Sequence, residues 1–405
     1  MNAEQLAVET IKTLGMDAIQ QANSGHPGMV MGMSDIACVL WHDFLKYNPR
    51  NPHWPDRDRV VLSNGHGSML LYSMLHMTGT SLSLEDLKNF RQWGSPTAGH
   101  PEYGYADGIE TTTGPLGQGV ANGVGMAMAE KWLRTKFGED LVDHYTYVLC
   151  GDGCLMEGIA SEAASLAGHL QLSKLIMLYD DNKITIDGQT DIAFSEDVGA
   201  RFFAYGWSVE HIDGHDRSAI RKAIHAAQKS DKPSLICCRT VIGKGSPNKE
   251  GSNKTHGSPL GVDEVRATKQ ALGMDPDTSF DIAQEVYTYF REQDEERAAK
   301  EEAWETRVQA SPEREQFYTL LKELDLSQVD WPTFDVGTQL ATRNANGSVI
   351  QALSKGLPGF LGGSADLAGS NKTTIKESGH WSAQDFSGRN IMFASISIDV
   401  CINFD

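Results

Sequence analysis

Two turns thirty positions apart carry the residue types that grip a metal-bound diphosphate. Gly151, Asp152 and Gly153 follow the apolar run of residues 145 to 150, and Asn182 stands in a second, polar turn with Asp180 and Asp181 after the next apolar run. The Asp152 carboxylate and the Asn182 amide carbonyl are hard oxygen donors. Magnesium takes about six oxygens in octahedral array, usually only a few of them from protein, and completes its shell with phosphate oxygens and water. Gly151 and Gly153 allow a tight bend and close approach to phosphate, and a helix starting there turns free N–H groups and its positive dipole end toward an anion. A lone Gly-Asp-Gly is common in strand-to-helix turns; paired with Asn182 it points to a metal-diphosphate site.

A second set of chemistry-bearing residues is imidazole. His66 lies between Gly65 and Gly67 just after the apolar run of residues 60 to 62, where the glycines keep it accessible and favour a binding role. His26 lies in the breaker-rich segment of residues 23 to 28, a context that suits a helix-terminus hydrogen bond as well as a ligand. His100 precedes Pro101 in the long Gly/Pro/Thr loop of residues 94 to 119, which runs through Gly114, Pro115, Leu116 and Gly117 into a small-residue helix. His256 shares the polar loop of residues 243 to 261 with Lys244, Lys249 and Lys254, a basic island in an acidic chain. His76, between Leu75 and Met77, reads as a core or surface histidine.

These residues need a scaffold, and the pattern supplies strands alternating with helices. Residues 3 to 22 have helical spacing of Leu6, Ile11, Leu14 and Ile19, and a second helix is expected from about residue 31 to 46. Ser83 and Asp86 form a capping box for a short helix. Strands are expected at residues 60 to 62, before the Gly-Asp-Gly turn of residues 151 to 153, before the polar turn of residues 180 to 182, and at residues 206 to 212 and 233 to 243, with helices between them. The fold class is therefore α/β, a doubly wound, mostly parallel sheet that binds ligands at the carboxyl ends of its strands. The charged stretch of residues 280 to 324 reads as a surface helix and connector. A new α/β pattern follows it, with a helix at residues 345 to 356 and a strand over residues 358 to 371. The expected division is a first domain over residues 1 to 315, a linker over 316 to 334, and an incomplete second α/β domain over 335 to 405.

Composition narrows the class of function. A chain of 405 residues with 40% hydrophobic and 22% charged residues is long enough for two cores. Its net charge of -19 argues against nucleic acid or an anionic membrane as partner and requires a locally basic pocket for any phosphorylated substrate. No signal-peptide core or membrane-length apolar run is visible, so the cytoplasm is the expected location. The six cysteines form no regular framework. Those in apolar segments, Cys38, Cys150, Cys237 and Cys238, read as buried free thiols, and Cys150 and Cys154 make a poor zinc pair.

Seven segments together resemble the transketolase family: SGHPG at 24 to 28, LSNGHGSMLLYS at 62 to 73, TTGPLGQGVANGVGMA at 112 to 127, GDGCLMEGIASEAASLAGHLQL at 151 to 172, YDDNKITIDG at 179 to 188, THGSPLG at 255 to 261 and LGGSADLAGSN at 361 to 371. The resemblance implies a thiamine-diphosphate-binding fold and the transfer of a two-carbon ketol unit from a ketose phosphate to an aldose phosphate in the pentose phosphate pathway. It implies thiamine diphosphate and Mg2+ as cofactors, with Ca2+ or Mn2+ as substitutes, sugar-phosphate substrates and a homodimer. By similarity, Asp152, Asn182 and the backbone carbonyl of Ile184 hold the metal. His66, Gly114, Pro115, Leu116, Gly153, Asn182 and His256 then contact the cofactor. Asp366 lies beside the thiazolium of the neighbouring subunit's site, and Glu157 belongs to a network between the two cofactors. His26, His66, His100 and His256 surround the reacting carbon and the sugar hydroxyls, and Arg343 and Ser370 take the substrate phosphate. Neutral histidine suits proton exchange there, and arginine gives phosphate a charged fork.

The resemblance fails after residue 393. Ser397 stands where the family has the glutamate that activates the cofactor's aminopyrimidine ring, and the last residues match nothing in the family. The expectation is a truncated transketolase with low or no activity alone. The alternatives are a non-catalytic fragment that binds cofactor or dimerises, and another thiamine-diphosphate enzyme such as a 1-deoxyxylulose-phosphate synthase.

Overall fold

The computed structural model describes residues 1–322 and 325–395, so Ser397 and the unmatched tail, with Cys401, lie outside the described residues. Five strands form one parallel sheet: β1 (Arg59–Leu62), β2 (Thr146–Gly151), β3 (Leu175–Asp181), β4 (Ser208–Asp213) and β5 (Ser234–Arg239), in the order β1-β2-β3-β5-β4. β2 and β3 read as near-continuous apolar runs because a parallel sheet is covered on both faces. Successive residues divide between those faces. Tyr147, Leu149, Ile176 and Leu178 enter one core with the helices Ala3–Ala22, Ser68–Met77 and Arg217–Ala227. Val148, Cys150, Met177 and Tyr179 enter the other with the helices Gln118–Phe137, Gly158–His169 and Val198–Ala204. The expected α/β architecture is therefore present, and Leu62, Gly151, Asp181 and Arg239 end their strands on one edge.

Local signals hold where they are strong. Ser83 and Asp86 close the capping box of Leu84–Lys88, and the first helix spans Ala3–Ala22 with Asn2 as its N-cap. Cys38, Cys150, Cys154, Cys237 and Cys238 are buried free thiols. His76 is a core histidine, with ring nitrogens bonded to the Leu82 carbonyl at 2.9 Å and the Tyr287 hydroxyl at 2.8 Å.

Three expectations are corrected. The helix expected from residue 31 begins earlier, at Pro27, because proline's fixed φ suits a first helical position, and it breaks at Met33 before Ser34–Val39 and a π turn at Leu40–Phe44. The charged stretch after residue 280 is more than a surface connector. Its helices Gln284–Arg291, Asp294–Ala310 and Arg314–Leu321 bury Val286, Phe290, Trp304, Val308 and Phe317. Single apolar residues four apart, diluted by charge, made this stripe. The strand expected over residues 358 to 371 is limited to β6 (Gly362–Ala365), since Asp366 turns the chain with φ +57° into the short helix Ala368–Asn371.

β6 pairs in parallel with β7 (Asn390–Phe393), and this second unit leans on the first. Trp132 and Trp381 both donate to the Gly388 carbonyl, at 3.2 and 2.8 Å, and the Lys131 ammonium lies 4.5 Å from the Phe386 ring centre.

Candidate active site

The turn after β2 places Asp152 as the first residue of the short helix Asp152–Met156, with its side chain almost wholly buried. Oδ1 accepts from the Tyr179 hydroxyl at 2.6 Å; Oδ2 is buried without a partner. Burial pushes the carboxyl up to about 6, opposed by the Tyr179 hydrogen bond and reinforced by the Asp181 charge. Such a carboxylate is poised to take a cation.

The turn after β3 orients its amide. Asn182 donates through Nδ2 to Asp180 at 2.8 Å and accepts through Oδ1 from the Ile184 N–H at 2.8 Å. Asp180 in turn accepts from the Thr240 hydroxyl beyond β5. Burial pushes Asp180 up to about 7. β2 and β3 are paired through Gly151 and Asp180, so the Asp152 and Asn182 turns lie side by side, and the loop carrying Ile184 leaves from the same edge.

The four sequence-predicted histidines converge here from four separate loops. His26 lies 5.0 Å from His66, 5.9 Å from His256 and 6.4 Å from His100 between ring centres, and His66 stacks on His256 at 5.1 Å. Burial lowers the pKa of all four. His26 falls to about 4, with the charges of Arg91, His256 and His100 adding to the effect. All four are therefore neutral at physiological pH, each able to offer one donor and one acceptor.

Close backbone packing holds these loops together. A Cβ on Gly28 would sit 2.5 Å from Ile242 and 2.7 Å from the Thr255 carbonyl, and the Gly243 N–H donates to the Gly28 carbonyl at 2.9 Å. Only glycine permits that approach, which brings the His26 loop against the His256 loop. Gly153 and Leu116 are likewise adjacent, since a Cβ on Gly153 would lie 3.0 Å from the leucine, and Gly114 packs against His100. Pro115 and Glu157 are exposed at the rim.

Arg343, Asp366 and Ser370 stand apart. They are exposed on the second unit and form no hydrogen bond or ion pair with the histidines, Asp152 or Asn182 among the described residues. Five residues to which the sequence assigned no role in the site support it. Tyr179, Asp180 and Thr240 brace the two turns, Arg91 donates to His26 Nδ1 at 3.4 Å, and Asn64 lies buried at the end of β1. Tyr179 was within reach, two residues before Asp181 on a strand whose side chains alternate between faces; Arg91 carried no signal in its local pattern.

Paired turns with a carboxylate and an amide, a parallel sheet and an imidazole cluster define a thiamine-type diphosphate-binding domain. The chain belongs to the family described as transketolase, thiamine diphosphate binding domain, whose family model matches residues 3–326. It is 52% identical to a transketolase of Halalkalibacterium halodurans over 97% of its own length and 60% of that protein's, and 50% identical to the transketolase of Bacillus subtilis over 96% and 60%. The chain thus spans about 60% of the length of the curated relatives it matches. The crystal structure of Campylobacter jejuni transketolase superimposes with a TM-score of 0.93 at 47% identity, over 98% of this chain and 62% of that one. A Pichia stipitis transketolase in complex with sedoheptulose 7-phosphate matches at 0.92 and 41%, over 97% and 61%.

Thiamine diphosphate with a divalent cation is the cofactor set of this family, and the residues present fit it. Asp152 Oδ2 and His256 Nδ1 are buried polar atoms without protein partners at the edge where metal and diphosphate belong. Among the described residues no group of three or more acidic, histidine or cysteine side chains forms a protein-only metal cage.

Proposed function

We propose that this chain carries the diphosphate and metal side of a transketolase centre and serves the transfer of a two-carbon ketol unit from a ketose phosphate to an aldose phosphate in the pentose phosphate pathway. The observation that carries the reading is the convergence of four neutral imidazoles beside the Asp152 and Asn182 turns. The ketose phosphate held by the Pichia stipitis relative supports the substrate class.

In this reading Asp152, Asn182 and the Ile184 carbonyl hold Mg2+ or a similar cation. Gly114, Pro115, Leu116, Gly153, His66 and His256 line the cofactor. When bound, thiamine diphosphate supplies the electron sink for the two-carbon unit. The chain's own residues do the rest. His26 and His100 hold sugar hydroxyls, and with His66 and His256 they accept and return protons at the hydroxyl and carbonyl oxygens, which neutral imidazoles do near physiological pH. Arg343 and Ser370 bind the substrate phosphate, and Asp366 and Glu157 act across the interface of a cytoplasmic homodimer. Their exposure on a single chain is consistent with sites completed by a second copy.

Ser397 replaces the glutamate that the resemblance places at the aminopyrimidine, so turnover of this chain is proposed to be low. The test is a ketol-transfer assay on the purified 405-residue chain with Mg2+ and thiamine diphosphate, beside calorimetric titration of the cofactor. Cofactor binding with weak turnover is the expected result. Turnover equal to a full-length relative would refute the role given to Ser397, and absence of cofactor binding would refute the site.

A further inference from the structure

Among the described residues three asparagines are buried, Asn48, Asn64 and Asn390. Asn390 accepts from the Ile375 N–H at 2.8 Å and donates to the Ile375 and Ser378 carbonyls at 3.0 Å. Asn48 donates to Glu301 at 2.5 Å and accepts from the Arg50 N–H at 3.0 Å. Asn64 is 1% exposed, yet neither Oδ1 nor Nδ2 has a partner. Leaving a buried amide unmatched lowers the stability of the fold, and a group in that state needs an explanation.

Its position supplies one. Asn64 lies two residues past the end of β1, beside the Gly-Asp-Gly turn of β2. A Cβ on Gly151 would lie 3.5 Å from Asn64 Nδ2 and 4.0 Å from its Cβ, so the amide lies against the backbone that leads into Asp152. The segment around it has little freedom to relax. The Ser63 N–H donates to the Leu149 carbonyl at 2.8 Å, and the Thr113 hydroxyl donates to the Leu62 carbonyl at 2.8 Å. Added Cβ atoms on Gly65 and Gly119 would fall 2.6 Å from Thr113 and 2.5 Å from Ser63. The amide is therefore held in one place with its donors unused, next to the turn whose Asp152 Oδ2 is equally unpartnered.

We infer that Asn64 is a further ligand of the cofactor's diphosphate: Nδ2 donates to a phosphate oxygen, and Oδ1 accepts from a water in the cation's shell. This rests on the cofactor reading above. A neutral amide is the fitting group at this point, because it adds a donor for the anion without a second carboxylate beside Asp152, and its rigid setting leaves little entropy to lose on binding.

The test is calorimetric titration of the full 405-residue chain in Mg2+ with thiamine diphosphate, inorganic pyrophosphate and thiamine as separate probes. Asn64→Ala is expected to weaken thiamine diphosphate and pyrophosphate alike by about 10- to 100-fold, the range for a hydrogen bond to a charged group. The cofactor-free melting temperature is expected to stay level or rise, since the substitution removes an unmatched polar group. Asn64→Leu, closer in volume, repeats the measurement should the alanine variant fold poorly. Pyrophosphate affinity within about twofold of wild type in both variants would overturn the inference. So would a fall in cofactor-free melting temperature in both, which marks a structural amide bridged by trapped water. Failure of the wild-type chain to bind pyrophosphate would overturn the cofactor reading itself, and an Asp152→Asn control that still binds in a Mg2+-dependent way would do the same.

Discussion

Replacing Asp152 by asparagine separates what this carboxylate costs the fold from what it does for binding. Its pKa is raised from 3.8 to about 6, chiefly by burial, in a side chain whose Oδ2 has no partner. A carboxyl with a raised folded-state pKa contributes stability that is fully present below its unfolded pKa and is lost as pH rises through the folded one. The shift of about two pH units corresponds to roughly 3 kcal/mol lost by pH 8, about half of it already by pH 5. The Asp152→Asn variant would keep the acceptor for Tyr179 without the charge, so without cofactor it should exceed wild type by up to ~3 kcal/mol at about pH 8, and by less at about pH 5. With Mg2+ and thiamine diphosphate at ~100 times Kd, wild type gains about 2.7 kcal/mol and the variant little, so the two should come close to equal. Urea unfolding followed by circular dichroism, at both pH values and with and without cofactor, reads all of this. A cofactor-free variant less stable than wild type at the higher pH, or one with an undiminished cofactor shift, would refute the reasoning.

Other perturbations reach different parts of the fold. Glu130 is 1% exposed, its Oε1 has no partner, and burial pushes its carboxyl up to about 8. Stability linked to it is lost as pH rises from the ordinary carboxylate range through about 8, so Glu130→Gln should flatten the melting temperature against pH and exceed wild type by a few kcal/mol at about pH 9. His66, held below its ordinary 6.5 by burial, has the opposite sign: stability is present above that value and lost as pH falls, and His66→Gln should show a smaller drop in melting temperature between about pH 7.5 and 5. Gly168→Ala puts a Cβ 1.9 Å from the Tyr205 carbonyl oxygen, a backbone clash that should cost about 3 kcal/mol or more in denaturant unfolding.

The site was legible in the sequence where chemistry follows directly on an apolar run. Asp152, Asn182 and His66 each stand just past a strand, and a strand's end is a local property of hydrophobic pattern and turn residues. From its own surroundings His256 reads only as part of a basic loop and His26 equally well as a helix-terminus residue; a site role came to both through the family resemblance alone. Their ring contacts depend on Gly28 packing against Ile242, more than two hundred residues away. The helices from Gln284 to Leu321 carry little signal in the sequence because their buried residues are few and flanked by charge, so their hydrophobic stripe emerges only once there is a surface for it to cover.

By itself the sequence determined which turns could bind a metal diphosphate, because Gly-Asp-Gly and Asn182 state their chemistry in residue type and strand-end position. The tertiary structure decided that β2 and β3 are neighbours, that four distant imidazoles share one neutral cluster, and that Asn64 is buried without a partner. Strand order, desolvation and hydrogen-bond satisfaction depend on contacts between residues far apart in the chain, and no local pattern encodes them.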